Sequence, residues 1–197
     1  MRPAATLTSH TGRSRARDAS SRQRGSWSCW QPVPVESMQI NSDFSDLLHV
    51  LNDAGVRYLV VGGYAVMRYS EPRYTKDLDL WADPEAENAA RLFAALARFG
   101  APLSGLTPES FQDETMMYQI GVPPVRVDVL MAIGGVCFAD AWRRRQQVDL
   151  GDVMAPIISR DDLILAKRTS ARPQDRRDVQ RMLRAASKAA WRPPKRR

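Results

Sequence analysis

The chain has 197 residues, 44% apolar and 26% charged, enough to bury one core and too few for a large assembly of domains. No apolar run approaches the roughly 20 residues that cross a bilayer, which argues against a helical membrane span. The formal charge of +7 suggests a nucleic-acid partner until it is mapped along the chain. Residues 1–37 hold six arginines against Asp18 and Glu36, residues 188–197 hold five cations and no acid, and the segment between them is net −2.

Cys29 and Cys137 lie far apart and match no metal or redox spacing, which suits a reducing cytoplasm. With His10 and His49 the only histidines, the composition argues against a histidine-built zinc site, and any metal should be bound by oxygen. Residues 1–37 show no hydrophobic period and are rich in Ser, Arg and Pro. They read as a disordered basic tail, as an organelle transit peptide lacking an evident amphipathic face, or as sequence upstream of a true start at Met38.

From Met38 the pattern sharpens. Phe44, Leu47, Leu48 and Leu51 predict an amphipathic helix over 43–54, with Ser42 or Asp43 as cap and Gly55 as stop. Val56 to Val61 reads as a buried strand ended by Gly62 and Gly63, followed by a short helix from Tyr64 to Tyr69. Asp77 to Ala82 is a second strand. Pro84 opens a helix that runs to Phe99 and stops at Gly100. Strands are expected at Met116–Val122 and Val125–Leu130, a helix at Phe138–Arg145, and a hairpin around Gly151 and Asp152. Two helices close the domain, Ser159–Ser170 behind the capping pattern S-R-D-D and Gln174 to about Ala186. The order predicts an α+β fold, a mixed sheet with flanking helices. The domain spans 38–187, with a core at about 43–158, C-terminal helices at about 159–187, and a basic tail at 188–197.

On a strand, residues i and i+2 share a face, so Asp77 and Asp79 present two carboxylates together while Leu78 and Leu80 face the core. Like charges this close either raise one pKa or recruit a cation, and oxygen donors without histidine favour Mg²⁺ or Mn²⁺. In V-R-V-D-V-L, the valines share one face and leave Asp128 on the other with Arg126. An adjacent strand in suitable register would bring Asp128 beside the pair, and three carboxylates around two metals can clamp a phosphoryl displacement. Taken alone, D-x-D is also a common acidic strand end, and Asp128 a charge that guards a sheet edge. Gly62 and Gly63, between strand and helix, can cradle phosphate through backbone N–H groups or serve as an ordinary turn.

Taken together, G-G-x-A, then R-x-T (Arg73 and Thr75), then D-L-D and the lone Asp of V-D-V-L resemble the minimal nucleotidyltransferase domain of the DNA polymerase beta superfamily. The likeness is closest to the abortive-infection-type toxin nucleotidyltransferases and their bacterial relatives. It covers about residues 43–185 and implies a nucleotidyltransferase fold with a helical C-terminal part. It implies that Gly62 and Gly63 hold the triphosphate of an NTP, that Asp77 and Asp79 bind Mg²⁺ (or Mn²⁺), and that Asp128 holds the catalytic metal and activates the acceptor hydroxyl. Many superfamily members have Gly-Ser where this chain has Gly62-Gly63.

The stretch from Asp162 to Met182 resembles the same branch, with Lys167 as a phosphate-neutralising cation and Asp178 as the later carboxylate of a D-x-x-D pattern begun by Asp175. Arg73 would touch phosphate, or pair with Glu71 or Asp79. Arg143, Arg144 and Arg145 would guide a polyanionic acceptor or complement a helix dipole. The resemblance implies transfer of a nucleoside monophosphate to an RNA end, such as tRNA, or to a protein, with an antitoxin protein as partner. Small-molecule nucleotidyltransferases of the antibiotic type share the core motifs. A non-catalytic nucleotide-binding module would show a damaged carboxylate set, whereas all three aspartates are present.

Overall fold

The computed structural model describes residues 40–122, 125–170 and 172–190. The expectations for residues 1–37, for Cys29 and for the tail beyond Ala190 fall outside the described residues. Among them are six strands in one mixed sheet and six α-helices, which meets the α+β expectation. No helix among them is long and apolar enough to cross a membrane.

Helix α1 (Ser42–Asp53) buries Phe44, Leu47, Leu48 and Leu51, the stripe read from the sequence. Its cap is Asn41, one residue earlier than expected, whose side chain accepts from the Asp43 amide at 2.8 Å. Strand β1 (Tyr58–Val60) is shorter than its apolar run. Helix α2 (Gly62–Tyr69) begins on the glycine pair itself, so both glycines lie in its first turn and not in a preceding loop. Strand β2 is Asp77–Ala82, as expected. Helix α3 (Ala86–Phe99) is capped by the Glu85 side chain, which accepts from the amides of Glu87 and Asn88. Pro84 therefore precedes the helix, and Gly100 ends it in a left-handed conformation.

A 3-10 turn, Pro108–Gln112, was not legible in the periodicity. It leads to β3 (Met117–Val122) and β4 (Val125–Leu130). Then come α4 (Phe138–Arg144), the hairpin of β5 (Gln146–Asp149) and β6 (Met154–Ile157), α5 (Arg160–Ser170) and α6 (Pro173–Ala190). The Ser159 hydroxyl accepts from the Asp162 amide at 3.2 Å, the cap expected from S-R-D-D. Helix α6 outruns its expected end by about a turn.

The sheet order is β3-β4-β2-β1-β6-β5, with β2∥β4 and β1∥β6 parallel and the other pairs antiparallel. Leu78, Leu80 and Trp81 are at most 2% exposed and anchor β2 in the core. At 25 cal/mol per Å² of apolar surface, each such side chain contributes about 2 kcal/mol relative to exposure. Helices α1 and α3 pack together, and α2 lies on β2 and against α5 and α6. This last arrangement stacks the two C-terminal helices beside the polar residues of β2.

Candidate active site

The central pair of strands decides the site. Because β2 and β4 run parallel with Asp79 opposite Asp128 and Asp77 opposite Arg126, alternation puts all four side chains on one face. Strand β3 adds Gln119, paired across from Asp128, and its amide donates to Asp128 Oδ1 at 3.0 Å. Arg126 donates to Asp77 Oδ2 at 2.8 Å and places Nε 3.2 Å from Asp128 Oδ1. The second approach is an ion pair whose angle does not make a hydrogen bond, since Nε is buried without a hydrogen-bond partner.

Asp128 is buried, and Asp77 and Asp79 are half-buried; at Asp79 the titration is shifted. Burial raises its pKa above the usual carboxylate range; the Gly63 amide lowers it, Asp128 and Asp77 raise it, and Lys167 lowers it. The Gly63 amide lies 3.4 Å from Asp79 Oδ2, so this carboxylate faces the first turn of a helix that has no capping side chain of its own. That contact explains the glycine pair. Gly62 has φ +56°, and a Cβ there would lie 1.9 Å from Asp79 Oδ2. A Cβ on Gly63 would lie 2.3 Å from Thr75 Oγ1, so the threonine hydroxyl occupies the space that a side chain at 63 would need. The glycines thus answer the approach of Asp79 on β2 and of Thr75 in the loop before it, a role the sequence reading did not separate from phosphate binding.

Lys167 is no solvated helix residue. Its side chain is 11% exposed and its Nζ lies 2.6 Å from Asp175 Oδ1 and 3.0 Å from Asp178 Oδ2. Asp178 is fully buried and also accepts from Gln174 at 3.1 Å and Arg73 at 3.5 Å. With Arg181 also 3.9 Å away, its carboxylate is spent on these groups, so in this structure it holds Lys167 and Arg73 and does not itself face a ligand space. Arg73 pairs with Asp178 and not with Glu71 or Asp79; Glu71 pairs with Lys188. Asp175 accepts from Lys167, Ser170 and Arg172. Burial pushes its pKa up, but those three donors outweigh it and leave the group at about 2.

The Arg143–Arg145 triplet is used locally. Arg143 pairs with Asp140, Arg144 forms a two-pronged pair with Asp162 at 2.9 and 2.7 Å, and Arg145 stacks 3.9 Å over the Trp142 ring. The structure gives it no free guanidinium row for an acceptor.

Three aspartates on one face form a donor set of hard oxygens that suits Mg²⁺ or Mn²⁺. Among the described residues, no three carboxylate, imidazole or thiol groups stand close enough to enclose an ion as they are. Arg126 sits between Asp77 and Asp128, so closure around a cation requires that guanidinium to move. Arg126 and Gln119 are the site residues that sequence reasoning did not assign. The signal for Arg126 was its place on the Asp128 face; for Gln119 there was none before the β3–β4 register was known.

The family model described as "Nucleotidyltransferase of unknown function (DUF6036)" matches residues 38–185. No curated protein matches the chain. Among solved structures, the lincosamide antibiotic adenylyltransferase LnuA with lincomycin bound is similar at 16% identity and TM-score 0.49, over 74% of this chain and 97% of that one. A Thermotoga maritima protein assigned as a nucleotidyltransferase (TM1012) is similar at 14% identity and TM-score 0.47, over 72% of this chain and 90% of its own.

Proposed function

The chain belongs to the DUF6036 family of nucleotidyltransferases of unknown function, and from that premise we propose that it moves a nucleoside monophosphate from an NTP to a hydroxyl acceptor with Mg²⁺ or Mn²⁺. The observation that carries this reading is the register of Asp79 against Asp128 on parallel strands, with Asp77 two residues along the same face. The catalytic domain would be residues 38–187, with α5 and α6 supplying its second wall.

In the reaction, the acceptor oxygen attacks the α-phosphorus, the bond from that phosphorus to the bridging oxygen breaks, and pyrophosphate leaves. Asp77, Asp79 and Asp128 would hold the metal, which when bound neutralises charge on the reacting phosphates. Asp128, which accepts from Gln119, would take the acceptor proton. The first-turn amides of α2 and the Lys167 ammonium offer positive charge to the triphosphate. Asp178 and Asp175 hold the Lys167 ammonium, whose charge is felt at Asp79, and Thr75 packs over the α2 turn.

The test is transfer of label from each α-labelled NTP to total RNA or to protein by the full chain with Mg²⁺, compared with the Asp77→Asn, Asp79→Asn double variant. Wild-type transfer reduced about 10²-fold or more in the variant is expected. Undiminished transfer by the double variant would refute the assignment of these carboxylates.

A further inference from the structure

A cleft of about 320 Å³ opens between the loop after α2 and helix α6, where Arg73, Arg181, Arg184 and Lys188 line it with Glu71 as the one carboxylate. Its cations are poorly balanced from within the protein. Glu71 is engaged by Lys188 at 2.9 Å. Buried Asp178 stands 3.5 Å from Arg73 and 3.9 Å from Arg181, but Lys167 and Gln174 approach the same carboxylate to 3.0 and 3.1 Å. Arg184 is exposed and pairs with no carboxylate among the described residues. The Arg73 Nε is buried without a hydrogen-bond partner, a donor that folded proteins seldom leave unmet.

Spacing and lining narrow the ligand. Arg181, Arg184 and Lys188 recur at i, i+3 and i+7 on one face of α6, and at 1.5 Å per residue their row is about 10 Å long. One orthophosphate meets only part of such a row, whereas two or three linked phosphates present oxygens along it. Guanidinium forks take those oxygens two at a time, and three guanidiniums converge here. The remaining lining, Pro72 and Ala185, offers no ring on which a base could stack, so the cleft selects charge and not a nucleoside.

We propose that this cleft is a second anion site of the domain, apart from the carboxylate face, and that it takes a free condensed phosphate of two or three linked units. The binding does not depend on the proposed nucleotidyl transfer. Arg73 and Lys167 both pair with Asp178 Oδ2, and it is Lys167 whose charge is felt at Asp79. One buried carboxylate is thus shared between a cation of the cleft and the ammonium assigned to the donor. The Glu71–Lys188 pair is exposed, where an ion pair is weak and yields readily to a phosphate.

The test is titration calorimetry of the full chain with sodium pyrophosphate, tripolyphosphate, orthophosphate and citrate. The buffer is free of divalent metal, so the three aspartates repel an anion while the cleft cations attract one. Wild type should bind pyrophosphate and tripolyphosphate at one site, about tenfold more tightly than orthophosphate or citrate. Arg184→Gln with Lys188→Gln should weaken that binding about tenfold or more. Its Tm should match wild type, because both side chains are exposed. Lys195→Ala with Arg196→Ala and Arg197→Ala should bind as wild type does. Equal binding by wild type and the cleft variant, citrate or orthophosphate binding as tightly as pyrophosphate, or loss in the tail variant alone would each overturn the site. With Mg²⁺ present, each NTP should bind the cleft variant as it binds wild type. If NTP affinity falls together with that for pyrophosphate, the cleft is the donor's own phosphate seat and the separate site is overturned. Absence of NTP binding to wild type would count against the proposed transferase and leave the metal-free result for the cleft intact.

Discussion

Two groups of charged side chains lie within electrostatic reach of each other and are balanced differently. On β2 and β4, two of the three carboxylates, Asp77 and Asp128, share one guanidinium, Arg126, and Asp77 and Arg126 are each about a third exposed. Between α5 and α6, Asp175 and Asp178 are nearly or wholly buried and are met by Lys167, Ser170, Arg172, Gln174 and Arg73. The first group has an excess of negative charge facing solvent, which is a demand for a cation. The second is satisfied within the protein, and its product is a fixed position for Lys167. Similar residue types therefore divide into a face left with unbalanced negative charge and a buried cluster that fixes Lys167.

That division is broken most strongly by exchanging the site of mutation. Asp178→Ala would leave Lys167 and Arg73 short of a buried counter-charge and should destabilise the fold by about 3–5 kcal/mol, read from urea unfolding. Asp77→Ala removes a surface pair and should cost under about 1 kcal/mol while eliminating transfer. Equal losses of stability in the two variants would erase the distinction. A smaller effect is expected at Arg126. With its guanidinium gone, Asp77 and Asp128 are free to turn to a cation, and Arg126→Ala should tighten Mg²⁺ binding about tenfold by titration calorimetry. Unchanged or weaker binding would show that Arg126 does not compete with the ion.

The smallest effect is on pH dependence. Asp175 titrates at about 2 in the fold against an ordinary 3.8, so its contribution is whole above about pH 4 and is lost as pH falls towards 2. Wild-type Tm should accordingly decline more steeply between pH 4 and 2 than that of Asp175→Asn. Parallel decline would mean that the Lys167 and Arg172 contacts add nothing to stability.

The elements were largely legible in the sequence because their signals are local. The Phe44-to-Leu51 stripe, the Gly55 and Gly100 stops and the alternation in V-R-V-D-V-L depend on neighbours within a turn or a pleat. Differences arose where one side chain decides between neighbours or a distant group intervenes. Asn41 was passed over for Ser42 or Asp43, and Glu85 because Pro84 was read as opening the helix; only the folded side chain shows which group turns back on the first turn. Gly62 and Gly63 were read as ending the strand ahead of the helix; here the approach of Asp79 and Thr75 calls for glycine inside the first turn of α2. The Arg143–Arg145 triplet looked available because Asp162 and Trp142, which engage two of its members, are separated from the motif in kind or in sequence.

By itself the sequence determined that Asp77 and Asp79 face together, that Asp128 and Arg126 share a face, and that oxygen must serve any metal, since side-chain alternation and residue chemistry need no partner strand. Only the tertiary structure decided that Asp79 lies opposite Asp128, that Arg126 spans Asp77 and Asp128, and that Arg181, Arg184 and Lys188 of α6 line a cleft with Arg73. Strand register and helix docking are set by the burial of residues far apart in the chain, so no local pattern could encode them.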